Sequence, residues 1–73
     1  MRLVIDLGGQ KVEELHPSEK LARTHLSIVL QSHKSRGHRV ARRQVELVRG
    51  EQVRQSRFIV QTPEGALQYW LER

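Results

Sequence analysis

The chain has 73 residues, no cysteine and a formal net charge of +5. That length fits one domain spanning residues 1–73 with a thin core, since a chain of this size buries only roughly 60% of its unfolded surface. The absence of cysteine excludes a disulfide framework and a thiolate metal site, and a walled substrate pocket of ~300 Å³ or more would consume much of the available core.

Small size therefore weighs against an enzyme with a small-molecule substrate. The longest apolar runs, Leu3 to Ile5 and Ile28 to Leu30, fall far short of the ~18 residues of a membrane span. Asp6 interrupts the apolar start, which argues against a signal peptide. A cytoplasmic protein is the expectation. Charge is distributed unevenly. Lys20, Arg23, Lys34, Arg36, Arg39, Arg42 and Arg43 occupy a stretch, residues 20 to 45, that contains no acid. The flanking segments are acidic or neutral, so the positive excess has an address.

In chain order, Leu3, Ile5 and Leu7 alternate with Arg2, Val4 and Asp6, the period of a strand with one core face and one accessible face. Gly8-Gly9 ends it in a turn. Val12 and Leu15 anchor a connecting stretch. A helix is predicted over 17–36, with Pro17 in its first turn, Ser18 or His16 as cap and Glu19 favoured by the dipole. Its apolar arc comprises Leu21, Ala22, Leu26, Ile28, Val29 and Leu30. Lys20, Arg23, Ser27, Gln31 and Lys34 fill the other side. Gly37 is the left-handed stop.

From Arg39 to Val48 the period returns to two, with Ala41, Val45 and Leu47 on one face. Arg49 to Gln52 reads as a hairpin turn. A further strand follows from about Val53 to Thr62, with Phe58 and Val60 on one face and Ile59 on the other. Thr62-Pro63-Glu64-Gly65 suits a turn into a last strand carrying Leu67, Tyr69 and Leu71. The rival is a helix capped by Thr62. Gly65 inside its first turn would cost ~1 kcal/mol, which favours the strand.

The fold class is α+β: one amphipathic helix packed on a three- to four-stranded, mostly antiparallel sheet, in the order β-α-β-β-β or β-α-β-β-α. The far face of the sheet is expected to carry Arg, Gln and Glu and to stay wet.

Chemical motifs are sparse. His25 and His33 are eight residues apart, about 12 Å along a helix, too far to share an ion. His33 and His38 could approach across Gly37, without an evident third ligand. Glu13-Glu14 reads as solvated carboxylates. Ser27 and Ser32 lack a nucleophile elbow, and Gly8-Gly9 lacks the rest of a phosphate loop. No metal, no cofactor and no catalytic residue are expected.

The arginines carry the functional signal. A guanidinium makes planar, bidentate contacts to phosphate or carboxylate. The competing explanation is a solvated face, since cations are favoured at a helix C-terminus. If functional, the patch of Lys34, Arg36, Arg39, Arg42 and Arg43, with Arg2 on the first strand, meets an acidic protein surface or nucleic acid. The first strand, placed at a sheet edge, could also dock by strand addition. With only Phe58, Tyr69 and Trp70 aromatic, a base-stacking platform is disfavoured. Seven cations on duplex phosphates would give a log–log salt slope of about −6.

The stretch Lys34-Ser35-Arg36-Gly37-His38-Arg39 with Arg42-Arg43, on a tiny cysteine-free α+β chain, resembles the host-directed regulators of lytic bacteriophages that bind bacterial RNA polymerase. The resemblance rests on size and style over all 73 residues. It implies inhibition or modulation of transcription by sigma-factor displacement or antitermination, through contacts near the polymerase's RNA exit, and, for a phage protein, the host cytoplasm. The residues themselves lead to the expectation of a monomeric, non-enzymatic binder. The alternative is a non-specific basic nucleic-acid-binding domain.

Overall fold

The computed structural model describes residues 1–48 and 52–72. Strands β1 (Arg2–Leu7) and β2 (Gln10–Leu15) form a hairpin, helix α1 (Glu19–Ser35) follows, and β3 (Arg39–Val48), β4 (Gln52–Thr62) and β5 (Gly65–Glu72) form a meander. The sheet has five strands in the order β2-β1-β5-β4-β3, and every pairing is antiparallel. The α+β class stands. The sheet has one strand more than the widest expectation, and its order is β-β-α-β-β-β. No helix among the described residues is long and apolar enough to cross a membrane.

The additional strand is β2, read from sequence as a connection. Its Gln-Lys-Val-Glu-Glu-Leu run has little β propensity, and the preceding turn is what folds it back. Gly8 and Gly9 both have positive φ, +66° and +104°, as the favoured two-residue hairpin turn requires. The Asp6 carboxylate accepts from the Gly9 N–H at 2.8 Å and fixes that turn. One consequence overturns an expectation: β1 is flanked by β2 and β5, so it is an interior strand and offers no edge for strand addition.

Helix α1 begins two residues later than predicted. Ser18 is the cap, its hydroxyl accepting from the Leu21 N–H at 3.2 Å, so Pro17 precedes the cap instead of occupying the first turn. At the far end the His38 N–H bonds the His33 carbonyl and the Gly37 N–H bonds the Lys34 carbonyl, each at 3.0 Å. With Gly37 at φ +80°, this is a Schellman stop.

Leu26 and Leu30 are buried against Leu3, Val60 and Tyr69, with Ile5, Val29, Val40, Phe58, Leu67 and Leu71 packed around them, and Ala22 on the same helix face is fully buried. Leu21 and Ile28, assigned to the same helix arc, are 51% and 63% exposed. At 100° per residue both lie more than ~90° from the centre of the Ala22-Leu26-Val29-Leu30 stripe, so the true core stripe is narrower than the arc drawn from sequence. On β3 the residue facing the core is Val40; Ala41 is exposed on the other side.

The C-terminal segment is a strand. Thr62 pairs with Gly65 across Pro63-Glu64, and the Thr62 hydroxyl accepts from the Glu64 N–H and donates to the Gly65 carbonyl. The predicted turn at Arg49 to Gln52 falls largely outside the described residues.

Candidate functional site

The sheet face away from α1 has its own small core. Val4 and Trp70 are directly opposed on β1 and β5, and each is 1% exposed. The Arg57 guanidinium lies 4.3 Å from the Trp70 ring centroid and the Lys11 ammonium 5.8 Å. The indole N–H donates to the Glu72 carboxylate at 2.9 Å. The expectation of a uniformly wet far face is therefore corrected. Cationic side chains lie across the aromatic ring and shield it, at cation–π distances.

The basic stretch runs along the β3 side of this face. Pairing of β4 with β5 begins only at Phe58, whereas the β3–β4 ladder continues to Val48 and Gln52. The distal half of that hairpin is thus a two-stranded ribbon extending beyond the five-stranded sheet. β3 is the sheet's last strand, so one of its edges presents unpaired backbone groups. Arg39 and Arg43 project from the outer face of β3, roughly 13 Å apart along the strand. Arg43 lies directly opposite Arg57 on β4.

The predicted residues do not all gather there. Lys34 and Arg36 are exposed at the C-terminal end of α1, immediately before β3. Arg42 projects from the helix-facing side of β3 and donates to the Ser56 hydroxyl at 3.2 Å. Arg2 is separated from the group: its guanidinium lies 3.4 Å from the Glu13 carboxylate and 3.6 Å from that of Glu72. It is three strands from β3, and those two carboxylates engage it. Lys34, Arg36, Arg39 and Arg43 form no ion pair among the described residues.

Arg57 is the residue that sequence reasoning missed. It donates to Gln55 at 2.9 Å and stacks on Trp70, so a cation far along the chain joins the β3 arginines. The signal was present in the alternation of β4, where Arg57 and Ile59 share a face opposite to Phe58 and Val60.

One histidine contact follows the expectation from sequence and a second was not foreseen. His33 and His38 do meet, Nδ1 to Nδ1 at 2.9 Å, and His33 Nε2 lies 2.8 Å from the Tyr69 hydroxyl. Burial lowers the His33 pKa, and the positive neighbours His38 and Arg36 lower it further. Burial also raises that of Tyr69, with a smaller contribution from the Glu14 carboxylate. His25 pairs with His16, their ring centroids 5.1 Å apart. The third ligand sought beside His33 is not where a carboxylate gathers; Glu14 sits with His16 and His25 instead. Comparisons with protein-family models, curated proteins and solved structures find no match to this chain.

Proposed function

We propose that this chain is a small non-enzymatic regulatory protein that docks a large acidic partner along the β3 edge and its basic outer face. The observation that carries this reading is an uncovered edge strand, β3, flanked by Arg39 and Arg43, which no described acid neutralises, and by the opposed Arg57. Strand addition supplies main-chain hydrogen bonds, and the arginines select an acidic strand and orient it. Charges on an edge strand also discourage unwanted pairing. The placement of two arginines opposite one another exceeds that need, because like charges directly across a ladder destabilise it.

The resemblance to phage regulators makes bacterial RNA polymerase the partner of choice, with sigma-factor displacement or antitermination as the consequence. Affinity purification from bacterial lysate should enrich polymerase subunits with the wild type and lose them when Arg39, Arg42 and Arg43 are all changed to Glu. Absence of polymerase in both eluates, with circular dichroism showing a folded protein, would refute it.

The adjacency of Arg43 and Arg57 also favours a second reading, phosphate-backbone binding to nucleic acid. Among the described residues near β3, Lys34, Arg36, Arg39 and Arg43 are exposed and form no ion pair, and four such phosphate contacts would give a salt slope on duplex DNA of about −4. A slope near zero removes it.

A further inference from the structure

Outside the basic face, the densest collection of metal-ligating side chains lies where β2 hands over to α1. Glu14 stands on the helix-facing side of β2, opposite Leu3. His16 lies in the linker, where its backbone N–H donates to the Met1 carbonyl at 2.9 Å. His25 reaches down from the second turn of α1, beside the buried Leu26. The Glu14 Oε2 atom is 3.2 Å from His25 Nε2 and 3.5 Å from His16 Nε2. One ligand atom from each residue lies within 4.8 Å of the other two.

Two features separate this group from a chance surface cluster. The first is that His16 Nε2 is buried and, among the described residues, has no hydrogen-bond partner, its 3.5 Å contact with Glu14 being an ion-pair distance only; folded proteins rarely leave a buried polar atom so. The second is spacing. Zinc–nitrogen and zinc–oxygen bonds of ~2.0–2.2 Å at tetrahedral angles put neighbouring donor atoms about 3.3–3.5 Å apart. The two contacts to Glu14, at 3.2 and 3.5 Å, lie close to that range and are longer than the ~2.7–2.9 Å of a well-formed charge-assisted hydrogen bond.

We infer that Glu14, His16 and His25 bind a divalent late first-row transition metal ion, with Zn²⁺ the ion their donors suit best. Two imidazoles and one carboxylate form a three-protein-ligand set that keeps a fourth position for water. Glu14 and His25 are each 42% exposed, so the ion reaches the site from solvent. Bound there, it ties the end of β2 and the linker to α1. This site is separate from the β3 face, and its fate is independent of the docking proposal.

The test uses the full chain stripped with a chelator, titrated with Zn²⁺ by calorimetry and with Co²⁺ by visible absorption. One ion per chain and the intense visible bands of four- or five-coordinate Co²⁺ are expected. His25→Ala and Glu14→Gln, at partly exposed positions and checked for folding by circular dichroism, should each weaken binding at least about tenfold, since even loss of a supporting contact does so. His38→Gln should leave it unchanged. Affinity unaltered by both ligand variants, loss of binding in His38→Gln, or Mg²⁺ binding as tightly as Zn²⁺ would each overturn the assignment. Should one ligand variant fail to fold, the other decides.

Discussion

Replacing Arg43 by Glu converts a like-charged cross-strand pair with Arg57 into an oppositely charged one. Opposed like charges destabilise a ladder and opposite charges stabilise it, by roughly 0.2–1 kcal/mol each. Arg43 is exposed and Arg57 is partly withdrawn over Trp70, so solvent screening reduces the combined gain to about 0.5–1 kcal/mol at low salt. At ~4–8 °C per kcal/mol for a domain of this size, the melting temperature should rise by about 2–8 °C. Thermal melts followed by circular dichroism provide the assay. In 1 M salt, where the Debye length is ~3 Å, most of the rise should vanish. The same variant should bind an acidic partner more weakly. A fall in melting temperature at low salt would show that the two arginines do not repel, and the claim that stability is sacrificed there for binding would fail.

Truncating Trp70 to Ala removes the buried centre of the outer face and should cost about 3–5 kcal/mol in urea denaturation; a loss below about 1 kcal/mol would mean that the face is not packed. Ser18→Ala removes the helix cap and should cost ~1 kcal/mol by the same measurement, whereas Ser18→Gly should cost only a few tenths. The lowered His33 pKa makes a pH prediction. Below the ordinary value of 6.5 the unfolded chain binds the proton more readily than the folded one, so His33 lowers stability as pH falls from there through its folded pKa. His38, Arg36 and Tyr69 face this ring, and the comparison is therefore made with His33→Gln. That variant should show a smaller loss of urea midpoint between pH 7.5 and 5, and an unchanged loss would contradict the assigned cause.

Much of the fold was legible because the local signals were strong. The alternation in β1 and β4, the Ser18 cap and the Gly37 stop each have a physical signature confined to a few residues. Residues 39–48 were bounded correctly from their period of two. β2 was illegible because its strand state comes from the Gly8-Gly9 turn and from pairing with β1, not from its own charged residues. Once β2 is added, β1 moves to the interior, and the predicted docking edge passes to β3. Trp70 shows the same dependence: its burial requires Val4, Arg57 and Lys11 from three other strands. For the site, sequence placed the arginines near one another, but strand alternation sent Arg42 to one face and Arg39 and Arg43 to the other. Arg2 was drawn away by Glu13 and Glu72, partners eleven and seventy residues distant.

The most direct test measures binding of purified bacterial core RNA polymerase to immobilised wild type, to an Arg39→Glu/Arg43→Glu variant and to Lys20→Glu, whose charge lies at the opposite end of α1. Saturable binding to the wild type, lost by at least about tenfold in the double variant and retained by Lys20→Glu, is expected, since reversing charges at a complementary interface costs several kcal/mol. Equal binding by all three proteins, or none by a folded wild type, would contradict docking through the outer face of β3.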